Sequence, residues 1–169
     1  MEHNHKGSCG DCGCGHDHHH DSCGCGHDHH HGHHTHTLLL SAEEADFIKQ
    51  LSVSSVFEVV RFVMKSSKSS HFESTALAPV HLKNKNDSME KVKETADVLQ
   101  YLQEQGVIDI DYDTPVEGSD YALYQNSELY AYFVQTIEES KAQPNFIFDI
   151  PHMECGRLTL TALGRAVRI

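Results

Sequence analysis

"VSSVFEVVRFVMKSS", residues Val53–Ser67, can be wound into a helix or drawn out as a strand. Its valines and phenylalanines have the propensity of a strand. Its polar residues argue the other way. Glu58, Arg61 and Lys65 fall at i, i+3 and i+7, which on a helix makes one narrow wet stripe in an otherwise apolar surface. The spacing therefore predicts a central core helix, with the other elements arranged about it.

Toward the N-terminus, Ser41 precedes "AEEADFIKQL" with Glu44 three residues on, the capping-box signature of a first helix. Toward the C-terminus, "SSKSSHFESTALAPVHLKNKND" is broken by serines, asparagines and Pro79. It reads as loop with one short element near Thr75–Leu82. Asp87 and Glu90 form a second cap signature, and Val92, Ala96, Leu99 and Leu102 follow at helical spacing until Gly106 stops the helix. "VIDIDYD" alternates, with Ile108, Ile110 and Tyr112 on one face and Asp109, Asp111 and Asp113 on the other. After the turn-like "TPVEGSD", "YALYQ" is expected to return as its hairpin partner. Leu129, Phe133 and Ile137 mark a helix over Glu128–Lys141, ended before Pro144. "NFIFDI" and "RLTLT" read as two short strands, and "ALGRAVRI" as a last helical turn.

This organisation begins at Leu38. Before it, Met1 is the only large apolar residue, so residues 1–37 are expected to be a disordered tail and residues 38–169 one globular domain. The tail holds 13 of the 16 histidines and five of the six cysteines. "CGCGHDHHH" occurs twice, at Cys12–His20 and Cys23–His31. Each copy offers two thiols as Cys-x-Cys and four imidazoles, enough for the four tetrahedral positions zinc prefers, and its glycines let a short backbone curl around an ion. The candidate ligands are Cys9, Cys12, Cys14, His16, His18, His19, His20, Cys23, Cys25, His27, His29, His30, His31, His33, His34 and His36. Asp17 and Asp28 can orient imidazoles as acceptors. No run exceeds three histidines, and the Cys-Gly units are foreign to an expression tag. The expected ions are Zn2+ or Ni2+, with copper admissible.

The tail resembles the histidine-rich extensions of nickel and zinc metallochaperones and metal transporters, a resemblance that implies storage, buffering or delivery of such ions. In the domain, "LQYLQEQGVIDI" and the closing "GRLTLTALGRAV" resemble the winged-helix fold of many bacterial transcription regulators. That resemblance implies an α+β domain, helices plus a small antiparallel sheet, with the helix before Gly106 as the recognition helix and the strands as the wing.

Charge weighs against DNA. Lys6 against Glu2, Asp11, Asp17, Asp21 and Asp28 leaves −4 of the chain's −12 in residues 1–37 and −8 in the domain, and the expected wing displays Asp109, Asp111 and Asp113 where phosphates would approach. Asp109, Asp111, Asp113, Glu117 and Asp120 also fall at calcium-loop positions 1, 3, 5, 9 and 12. Thr114 stands where that loop needs glycine, so an acidic hairpin face is the better reading. All six tyrosines lie between Tyr101 and Tyr132, which suits an interface with another protein or a homodimer. His71, His81, His152 and Cys155 are the soft ligands left in the domain. No phosphate-binding glycine loop, Gly-x-Ser-x-Gly elbow or His-Glu-x-x-His motif is present, so a binding role is favoured over catalysis. No stretch approaches the roughly 18 apolar residues of a membrane span. The N-terminus has neither a basic nor an apolar leader segment, so the expected location is the cytoplasm and no membrane partner is expected.

Overall fold

The structure, a computed structural model, describes residues 38–169. In chain order its elements are α1 (Ala42–Ser54), β1 (Val56–Ser66), β2 (Ser69–Val80), α2 (Met89–Glu104), β3 (Ile108–Asp111), α3 (Ala122–Gln125), α4 (Glu128–Ser140), β4 (Ile150–Leu160) and α5 (Ala162–Ala166). The fold is α+β. Its four strands form one antiparallel sheet in the order β2-β1-β4-β3.

The segment read as a core helix is the central strand. Val53 and Ser54 finish α1, Ser55 takes a positive φ of 67° and returns its N–H to the Leu51 carbonyl, and β1 starts at Val56. The physical reason is burial on both sides. A strand covered on both faces needs apolar residues at almost every position and so loses the alternation that identifies a half-exposed strand. Phe57 and Val59 face one way, and Val60 and Phe62 the other, each into a different core. The three polar residues form no stripe: Arg61 and Lys65 share the face of Val59, whereas Glu58 lies opposite.

Three further expectations are corrected. Residues 69–80, read mostly as loop, form the edge strand β2, whose register against β1 slips at three places. "YALYQ" is not a strand; Tyr121 takes a positive φ of 53° and residues 122–125 wind into α3, so β3 pairs with β4 instead. In "NFIFDI" only Ile150 is in a strand, and "RLTLT" extends to within one residue of its end a single long β4 beginning there. The cap of α2 is Ser88, whose hydroxyl accepts from the Lys91 N–H; Asp87 accepts instead from the N–H groups of Lys83 and Asn84 and pairs with Lys91 Nζ at 2.6 Å. The capping box of α1, the stop of α2 at Gly106 (φ 68°), the alternation of β3, and α4 and α5 are as the sequence predicts.

Two cores lie on the two faces of the sheet. Phe47, Ile48 and Leu51 of α1 and Leu99 and Leu102 of α2 pack with Val59, Ile108, Leu158 and Leu160. Tyr124, Leu129, Phe133 and Ile137, from α3 and α4, pack with Val60, Phe62 and Val80 on the other face.

Candidate functional site

The sixteen expected metal ligands, Cys9 to His36, lie outside the described residues. The four soft ligands of the domain are separated from one another. His152 stands opposite Val63 and Cys155 opposite Val60 in the β1–β4 register, and a spacing of three along a strand puts them on opposite faces. His71 is exposed on β2. His81 is enclosed between the rings of Phe47 and Phe57, with centroids 5.7 and 5.2 Å away. Among the described residues no three His, Cys, Asp or Glu side chains converge as an ion would require. Of the five acidic residues at calcium-loop spacing, two are drawn into other roles. Asp111 pairs with Arg157 at 3.3 Å and accepts the N–H groups of Asp113 and Thr114, while Asp120 accepts that of Ala122.

What the sheet brings together is polar and structural. The Glu58 carbonyl has no β2 partner, because pairing with β2 stops at Val60 and Val80. Two side chains supply its donors: Tyr124 Oη at 2.8 Å and His81 Nδ1 at 2.9 Å. A carbonyl only accepts, so Nδ1 carries the proton in His81. Burial holds the His81 pKa below the ordinary histidine value, which keeps the ring neutral. Tyr121 Oη donates to the Gly156 carbonyl at 2.7 Å and accepts the Val116 N–H, and Ser119 Oγ bonds Glu58 Oε1, fastening residues 116–124 over the sheet. Burial raises the phenol pKa values of Tyr121 and Tyr124, so both hydroxyls remain donors. Of the clustered tyrosines, Tyr121 and Tyr124 are thus core, and Tyr132 is exposed.

The face that carries Val59 continues into a charged ladder. Arg61 bonds Glu154 directly across the register, Lys65 Nζ lies 3.2 Å from Glu154 and 3.9 Å from Glu73, and the Arg61 guanidinium sits 4.8 Å over the Tyr112 ring. Burial alone would raise the Glu154 pKa; bonds from Arg61 and Lys65 outweigh it and hold the carboxyl below its ordinary value. Burial raises the Tyr112 pKa to about 12 despite Arg61. Two cations and two carboxylates balance, so the ladder offers no surplus charge to a phosphate. It could not be read from the sequence without the register. The even spacing of Arg61 and Lys65 in a valine-rich run was the signal available.

No protein-family profile and no curated protein sequence matches the chain. A solved structure of an uncharacterized protein from the hydrocarbon-degrading marine bacterium Alcanivorax borkumensis SK2 is similar at a TM-score of 0.42 and 16% identity, covering 75% of this chain and 82% of that one.

Proposed function

We propose that this protein binds transition-metal ions, zinc or nickel with copper admissible, through residues 1–37, and buffers or delivers them by way of protein contacts made by the 38–169 domain. One observation carries the reading: the exact repetition of "CGCGHDHHH" within a segment of 13 histidines and five cysteines. Two such units predict about two ions per chain, bound with modest affinity because flexible ligands must be ordered on binding. Native mass spectrometry of the full chain with zinc, nickel and copper(I) tests this, against a chain in which the cysteines and histidines of both repeats are serine and asparagine. Full stoichiometry in the substituted chain overturns the reading.

The alternative is a metal-responsive winged-helix DNA-binding regulator. In its favour, α2 stops at Gly106 and an antiparallel strand pair follows in space. Against it, β1 and β2 stand between α1 and α2 where a helix-turn-helix would be continuous. The exposed side of α2 also shows Glu90, Glu94 and Asp97 against Lys91 and Lys93, and Lys91 is already paired with Asp87. Under the metal-delivery reading, metal-loaded protein gives no sequence-specific DNA complex at physiological salt. A specific shift that vanishes with chelator promotes the alternative.

A further inference from the structure

On the C-terminal half of α1 one apolar side chain, Val53, is left uncovered as a ridge. Val53 is 87% exposed and stands between two grooves, both of which it lines together with Lys49. One groove runs between α1 and the last residues described and is lined by Leu160, Arg165, Val167 and Ile169; Phe57 lines the other. Among the described residues, no Asp or Glu side chain lines either groove. That is unusual in this domain, whose net charge is −8, and the contrast lies on the same helix: the groove between α1 and α2 is lined by Glu43, Asp46 and Glu94 as well as Lys83 and Lys91.

The two cations are available to a partner. Lys49 approaches Asp46 at 3.8 Å on the exposed helix surface, a pairing that holds it weakly. Arg165 donates to the Leu160 carbonyl at 2.7 Å, which fixes its guanidinium beside the groove. A ridge between two grooves suits a surface that straddles it, as side chains at i, i+3 and i+4 of an amphipathic segment do, better than a small molecule that fills one cavity.

We propose that this ridge and its grooves dock an acidic, amphipathic segment of a partner protein. Apolar side chains of the segment sit on either side of Val53, and its carboxylates meet Lys49 and Arg165. The proposal rests on the partner-contact half of the reading above and gives that partner a chemistry.

The test selects a random displayed-peptide library on the full chain in the presence of chelator, with counter-selection on the Val53→Asp chain. The expected clones carry leucine, isoleucine or phenylalanine at helical spacing flanked by Asp and Glu. Fluorescence anisotropy should show their binding falling about tenfold with Lys49→Glu and with Val53→Asp, and weakening with salt. Both side chains are exposed, so the far-UV circular dichroism of the variants should match that of the parent. Failure to recover clones that distinguish the parent from Val53→Asp, clones without acidic bias, or indifference to Lys49→Glu each overturns the proposal. Since chelator is present throughout, such a failure leaves the ion stoichiometry of residues 1–37 as a separate result.

Discussion

A methyl group added at Gly164 would stand 2.0 Å from the carbonyl oxygen of Val107, a backbone atom that cannot swing aside. The contact is close because Thr161 ties α5 to the turn after α2: its N–H donates to the Val107 carbonyl and its hydroxyl to that of Gly106. Gly164→Ala should therefore cost at least ~2 kcal/mol, whereas Gly118→Ala, with a φ of +78° and no atom within 4 Å, should lose only about 1 kcal/mol for its backbone conformation. Urea midpoints at constant m rank the two, and the reverse order would refute the packing described for α5. His81 gives a second prediction at this scale. Burial lowers its folded pKa below the unfolded value, so the folded state favours the neutral ring. The associated stability is full above the unfolded pKa of about 6.5 and is lost as pH falls through the folded pKa. Urea denaturation of the parent should weaken on acidification below pH ~6.5 more steeply than that of His81→Gln, which cannot take up the proton. Parallel pH profiles would show that the His81 ring is not enclosed.

Elements that depend on local chemistry were legible, and those that depend on partners were not. Ser41 and Glu44 cap α1 through each other's backbone N–H, so four residues of sequence suffice to see it. Gly106 stops α2 because its positive φ suits a residue without Cβ. β1 gave no such local signal: its apolar run is imposed by two cores contributed by helices distant in sequence, and a doubly buried strand and a buried helix share that composition. Reading it as a helix also hid the Arg61, Lys65 and Glu154 ladder, which exists only in the β1–β4 register. The candidate metal ligands lie outside the described residues, and their proposal rests on the short repeat of thiols and imidazoles alone. The ladder makes its own prediction. Glu154→Gln leaves Arg61 and Lys65 side by side with half their counter-charge gone, and partial exposure of the group limits the loss to roughly 1 kcal/mol at neutral pH. Because the folded pKa of Glu154 is depressed, the parent should lose that advantage as pH falls through the folded pKa, and the two denaturation profiles should meet in acid. A gap that persists there would assign the effect to packing.

Over the whole chain, two kinds of sequence carry two kinds of stability. Residues 38–169 contain both apolar cores, whose burial favours their folding. Residues 1–37 hold all sixteen proposed ligands, twelve of them within the two nine-residue repeats, so ion binding there needs only local sequence. An ion stabilises a folded domain only to the extent that it binds the folded state more tightly than the unfolded one. Ligands confined to residues 1–37 are equally at hand whether or not residues 38–169 are folded, and the linkage is then close to zero however tight the binding. The full chain should accordingly unfold at nearly the same temperature with saturating zinc, with nickel and with chelator, while native mass spectrometry of the same samples shows ions gained and lost. Calorimetry over a range of zinc concentrations checks this. A midpoint that rises steadily with zinc would mean that a residue of the folded domain enters the coordination shell. Substituting His71, His152 and Cys155 in turn would then identify it.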